Sequence, residues 1–207
     1  VDQFWDQDNR KIEVAFSIPE NFVLELDNQP HLISLTDVSM VVDGVIYDLD
    51  GVKTLRVIGG QSKDVYEVLG VSEGLESIQL EGYAENETSL LDEFRNTSFE
   101  ATWTVNGADQ GSLSRVGVPG VDISFARMAS LTGGSQADRF IFEENGSLTG
   151  DLTGGQAADT LDFSERTSSV TVNLRDGSTP TIGGKTSGVE TLIGTPQSDT
   201  LIGPVSE

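Results

Sequence analysis

The chain has no cysteine, a single histidine, two methionines and two tryptophans in 207 residues, and only twelve basic side chains against thirty-four acidic ones. Without cysteine there can be no disulfide, thiolate metal site or cysteine nucleophile. A Ser-His-Asp arrangement would have to use His31, which follows Gln29-Pro30 in loop-like sequence and reads as a surface residue. The formal net charge of −22 would repel a polyanionic backbone over most of the surface and argues against a nucleic-acid partner. Such a charge suits a protein that must stay soluble, or one whose carboxylates are partly neutralised by divalent cations. No run approaches the roughly 18 apolar residues of a membrane span, and no Gly-Lys-Ser phosphate loop occurs. No charged leader followed by an apolar core opens the sequence, which reads as a processed product or an excised segment of a larger protein.

What is present is strand-and-turn chemistry. The 23 glycines, with many Ser, Thr, Asn and Asp residues, punctuate short apolar runs. Ile12 to Phe16, Phe22 to Leu26 and Leu32 to Leu35 alternate with period two, and Asp43-Gly44 between two β-favouring runs predicts a hairpin. Residues 69–97 are the one stretch where short helix is expected, through the loose spacing of Leu69, Val71, Leu75, Ile78 and Leu80 and the run Ser89 to Phe94. Gly70, Gly74 and Gly82 argue against a long one. From Phe99 to Val105 the alternation returns, closed by Asn106-Gly107, and acidity falls beyond residue 100, which sets a soft boundary near 100–120. The sequons at Asn86, Asn96 and Asn145 carry little weight in a chain so rich in Ser and Thr. The carboxylate pairs Asp48/Asp50 and Glu143/Glu144 flank turn-like sequence and read as turn residues rather than a glycosidase pair.

A repeat fixes more than any single element. Val57 to Tyr66, Leu131 to Phe140 and Leu152 to Leu161 share one template: an apolar strand end, Gly-Gly, three turn residues, an Asp, and an apolar residue two positions on. Leu192 to Leu201 keeps all but the second glycine. The template describes a strand, a corner built on Gly59-Gly60, Gly133-Gly134, Gly154-Gly155 or Gly194, and a second strand, with the Asp positioned to accept turn amides. Its aspartates, Asp64, Asp138, Asp159 and Asp199, stand 74, 21 and 40 residues apart. The last two intervals fit one and two turns of a coil of about 20 residues per rung, so that a chain coiled throughout would make roughly ten rungs and a rod about 50 Å long.

At these residues the sequence resembles the haemolysin-type, or repeats-in-toxin, calcium-binding repeat Gly-Gly-x-Gly-x-Asp-x-apolar-x. Thr160 to Ser164, Val170 to Leu174 and Gly188 to Gly194 also resemble the degenerate copies of large bacterial surface proteins. The likeness covers residues 131–203 and, less fully, 55–68. It implies calcium held between adjacent turns, with Asp138 and Asp159 as the stackable pair and Asp64 and Asp199 as the remaining positions. The sequence departs from the pattern where Ser62, Gln136, Ala157 and Gln197 replace the third glycine, and its copies are not consecutive. An isolated turn supplies too few oxygens for six- to eight-fold coordination.

The expected fold is all-β, a right-handed parallel β-solenoid or β-roll over residues 51–203, with residues 1–50 an antiparallel β cap or small sandwich and 204–207 a tail. The expected function is that of a non-enzymatic extracellular module of a large bacterial surface or secreted protein, adhesive or structural, assembling end to end into fibres. Its partners would be neighbouring domains, copies of itself, or matrix and host glycans or proteins, with no membrane span. The alternatives are a calcium-loaded module that folds after export, with Ca2+ as its only cofactor, and a carbohydrate-binding or polysaccharide-modifying β-helix. The last would need a long groove of acidic and aromatic side chains.

Overall fold

The computed structural model describes residues 2–5, 11–14, 20–72, 74–83, 92–117 and 120–203. Among them the fold is all-β, with two large mixed sheets and no helix. Sheet I runs β6 (Val45–Asp48), β5 (Ser39–Val42), β4 (Leu32–Leu35), β8 (Val65–Val68), β10 (Glu93–Asn96), β14 (Ser130–Thr132), β16 (Leu152–Thr153) and β19 (Thr186–Ser187). Sheet II runs β3 (Asn21–Glu25), β7 (Thr54–Ile58), β9 (Ser77–Glu81), β13 (Ile123–Ala126), β12 (Gln110–Arg115), β11 (Ala101–Gly107), β15 (Arg139–Phe142), β17 (Thr160–Asp162) and β20 (Thr191–Ile193). Two small sheets pair β1 (Asp2–Trp5) with β2 (Lys11–Val14), antiparallel, and β18 (Thr171–Asn173) with β21 (Thr200–Ile202), parallel.

The chain passes repeatedly between the two large sheets, and from β4 to β19 every pairing in sheet I is parallel. Parallel strands bury period-two residues in register, so identical positions stack into columns. Ile33, Tyr66, Phe94, Leu131 and Leu152 form one such column, and Trp103, Phe140 and Leu161 another on the facing sheet. All eight are buried. Trp103 stacks on Phe140 at 5.5 Å between centroids and meets Phe94 edge-on at 4.9 Å, an arrangement that adds to the area the rings bury.

Two antiparallel meanders interrupt the parallel order. The first, β4–β5–β6, is closed by Asp43-Gly44, both at positive φ (49° and 85°), the geometry a two-residue hairpin requires. Because β3 pairs with β7 and β4 with β8, residues 21–48 are joined to both large sheets. The second meander, β11–β12–β13, lies wholly in sheet II. Between β8 and β14 sheet I therefore holds one strand, while between β9 and β15 sheet II holds three.

The uniform 20-residue rung is not what the chain adopts. Stacked corner residues are separated by 33, 28, 37, 21, 31 and 29 residues, because hairpins and long turns are inserted between strands. The short helix expected within 69–97 is replaced by β9 and β10, since Ser77 to Glu81 alternates cleanly and buries Ile78 and Leu80 between β7 and β13. Ser89 to Leu91, Asn86 and the 204–207 tail lie outside the described residues.

Candidate functional site

The template turns occupy corners between strands, and the structure shows what each part of the template does. Asp64 Oδ2 accepts the Gly60 N–H within its own turn at 3.0 Å, and Oδ1 accepts the His31 N–H of the adjacent turn at 2.8 Å. Asp138 repeats the pattern with Gly134 N–H at 3.1 Å and Ala101 N–H at 3.0 Å, and Asp199 with Thr195 N–H at 2.8 Å and Val170 N–H at 2.9 Å. Each carboxylate thus fastens one turn to the next through an amide that would otherwise lack a partner.

The glycines follow from the same packing. A Cβ on Gly59, Gly133, Gly154 or Gly194 would sit 2.3–2.7 Å from Oδ2 of its own template Asp. At the second position a Cβ on Gly60 would lie 1.5 Å from the Asp27 carbonyl oxygen, and one on Gly134 2.5 Å from that of Asn96, because adjacent turns stack backbone to backbone. Among the described residues the nearest atoms to a Cβ on Gly194 all belong to Asp199, with none from a neighbouring turn, and in this copy Thr195 takes the second position.

Asp159 departs from the others. Its Oδ1 accepts the Asp138 N–H at 2.8 Å, 21 residues away, so Asp138 and Asp159 do stand in adjacent turns. Gly155, at φ 119°, does not present its amide to Oδ2, which is buried without a hydrogen-bond partner among the described residues.

The four copies do not lie in one line. Asp64 sits where the chain passes from β7 in sheet II to β8 in sheet I, whereas Asp138 and Asp159 sit at the opposite corner, from sheet I into β15 and β17. Asp199 lies between β20 and β21 and stacks on Val170. The 74-residue interval therefore joins two different corners. The 40-residue interval is not two turns of one column, because the residue stacked on Asp159 is Glu190, whose Oε2 accepts the Asp159 N–H at 2.8 Å.

Two members of these columns are absent from the sequence reading. Asp92 Oδ1 accepts the Asp64 N–H at 2.7 Å and its Oδ2 the Tyr83 N–H at 3.1 Å, while a Cβ on Gly82 would sit 2.2 Å from Oδ2. Leu80 to Tyr83 followed by Asp92-Glu93-Phe94 is therefore another copy, with residues 84–91 inserted in its sequence between the glycine and the aspartate. Glu190-Thr191-Leu192 ends a shortened one. The shorter signal Asp/Glu-x-apolar would have found both.

Electrostatics separate the columns by depth. Burial pushes the carboxyls of Asp64, Asp92, Asp138 and Asp159 up, to about 6 at Asp92 and Asp138. At the exposed Asp199 the Val170 amide leads the interactions that hold the carboxyl below its ordinary value. Asp162, fully buried, is also held low, because the Ser164 amide and the Arg139 guanidinium outweigh its desolvation. Glu144 is drawn down to about 2 by the Ser168 hydroxyl and the Thr167 amide and hydroxyl, so it ties two turns together. Asp48 accepts the Asp50 N–H, a turn contact.

His31 is not the free surface residue its loop-like surroundings suggest. Its side chain is 13% exposed, with Nδ1 2.6 Å from Asp43 and Nε2 3.1 Å from Asp27. Among the described residues no three His, Asp or Glu side chains form a metal shell. The large aromatics Tyr66, Phe94, Trp103, Phe125, Phe140 and Phe142 are interior. A cavity of about 340 Å³ opens beside β18 and β20, lined by Leu161, Val172, Leu174, Val189, Glu190 and Leu192 among others, with no aromatic residue.

No protein-family model, curated protein or solved structure matches the chain.

Proposed function

We propose that the chain is a non-catalytic structural module of a large extracellular bacterial surface or secreted protein, built as a right-handed β-solenoid-like stack with antiparallel insertions. Its role is to supply length, stiffness and a contact surface to neighbouring domains, copies of the same protein, or matrix glycans and proteins. The observation that carries this reading is the use made of the buried template carboxylates. They accept backbone amides from the turn beside them and so serve the stacking of the chain on itself. Incubation with uronate-rich and neutral polysaccharides tests it. Binding without new reducing ends or unsaturated products is the expected outcome for an adhesive module, and product formation dependent on the folded chain would overturn the non-catalytic reading.

One observation favours a calcium-loaded variant of the same module. Among the described residues Asp159 Oδ2 is buried with no proton donor, next to the turn that carries Asp138, and a cation bridging the two turns would satisfy it. Calcium binding only the folded state would raise the thermal midpoint in a concentration-dependent way. A midpoint unchanged between excess calcium and chelator would sink this variant.

A further inference from the structure

We propose that the corner at His31 is a latch closed by protonation: a doubly protonated imidazole ties the Asp27 turn and the Asp43–Gly44 hairpin end together, and loss of one proton frees the Asp27 turn.

The argument starts from donor counting. A carboxylate oxygen lies within hydrogen-bond distance of each ring nitrogen, Asp43 Oδ2 at Nδ1 and Asp27 Oδ1 at Nε2. A neutral imidazole has one N–H and one lone pair, so only the imidazolium donates to both. Once a proton leaves, a lone pair faces a carboxylate and one contact turns repulsive. The contact to Asp43 is the shorter, and Asp43 is also held by its other oxygen, which accepts the Leu32 N–H at 3.0 Å. The Asp27 side chain is 74% exposed, its contact is longer, and its other hydrogen bond, from the Gln29 N–H at 2.8 Å, lies within its own turn and ties it to no other element, so Asp27 is the partner released.

The charged groups facing the ring come from three elements: Asp43 from the β5–β6 turn, Asp27 from the turn after β3, and Asp64 from the β7–β8 corner. All are negative. Burial opposes the charge on His31, but the Asp43 and Asp27 hydrogen bonds outweigh it and raise the imidazole above its ordinary 6.5. Asp27 and Asp43 are both lowered, first by the amides of Gln29 and Leu32 and then by His31. For a raised group, the stabilisation is complete below the unfolded value and disappears as pH rises through the folded one.

The released turn is a structural lid over the first template corner. The Asp27 carbonyl packs against Gly60, Asn28 Oδ1 accepts the Gln61 N–H at 3.0 Å, and the Asn28 carbonyl accepts the Ser62 hydroxyl at 2.7 Å. Opening at Asp27 therefore loosens the grip on residues 60–62 while β4 stays paired with β8.

His31 is the only imidazole, so its C2 proton gives a single resonance whose titration can be followed in the intact chain. The expected result is a midpoint above 6.5 that moves down in Asp43→Asn. Amide exchange at Gln29 and Gln61, corrected for base catalysis, should accelerate relative to Val57 as pH passes that midpoint. A midpoint at or below 6.5 in the unaltered chain, or exchange at Gln61 that does not follow the titration, would overturn the proposal without recourse to any variant.

Discussion

Replacing Asp138 by Asn removes a titrating group while keeping its volume and one of its two acceptors, and the pH dependence of the resulting stability difference can be worked out in advance. Asp138 is 2% exposed, and desolvation, against the amides of Gly134 and Ala101, pushes its carboxyl from 3.8 to about 6. A rise from 3.8 to about 6 corresponds to roughly 3 kcal/mol of differential interaction between the two protonation states. Because the folded value is raised, the unaltered chain binds a proton on folding between the two values. The resulting stability is complete below about pH 4 and is lost as pH rises through about 6. The carboxamide of the variant cannot titrate. Denaturant unfolding of both chains from pH 4 to pH 8 should show the difference in ΔG, unaltered minus variant, falling by about 2.5 kcal/mol, half of it lost near pH 5 and nearly all by about pH 6 to 7. Contributions from all other carboxylates cancel to first order, except for Asp159, which is coupled through the stacked turns. A flat difference across this range would refute the claim that burial dominates at this corner.

Gly60→Ala places a methyl 1.5 Å from the Asp27 carbonyl oxygen and should cost about 3 kcal/mol, or a drop of roughly 9 °C in Tm, by thermal unfolding. Gly74→Ala, where the nearest atom is 3.7 Å away and φ is ordinary, should cost under about 1 kcal/mol by the same measurement. Arg139→Gln leaves the buried Asp162 carboxylate with the Ser164 amide and hydroxyl only and, since solvent screens the half-exposed guanidinium, should destabilise by about 1–2 kcal/mol at neutral pH. Since Asp162 is held low, that penalty should shrink as denaturation is repeated at progressively lower pH through its folded value.

Local chemistry was legible wherever it is decided by neighbours in sequence. The alternation at Phe22 to Leu26 and Leu32 to Leu35 gives β3 and β4, and Asp43-Gly44 gives the hairpin. The Gly-Gly-x-x-x-Asp turn reads as a corner because the carboxylate and the glycine that makes room for it lie four or five residues apart. Which corner it is was not legible. The same turn leads from sheet II to sheet I at Asp64 and the other way at Asp138, although the template residues agree in kind at both. Asp92 was hidden because the inserted residues 84–91 separate it from Gly82, while its effect on the Asp64 amide is entirely tertiary. Helix spacing at Leu75, Ile78 and Leu80 misled because strand pairing on both sides outweighs a weak local preference.

The meander β11–β12–β13 puts two more strands into sheet II than sheet I holds over the same length of stack. At about 4.8 Å per strand the excess is about 10 Å, comparable to the separation of packed sheets, so the two layers differ in length by about two strands across this point. In the spacer role proposed for the chain, unequal layers would set a direction as well as a distance, and shortening the meander by a hairpin would alter that direction without changing a single template turn.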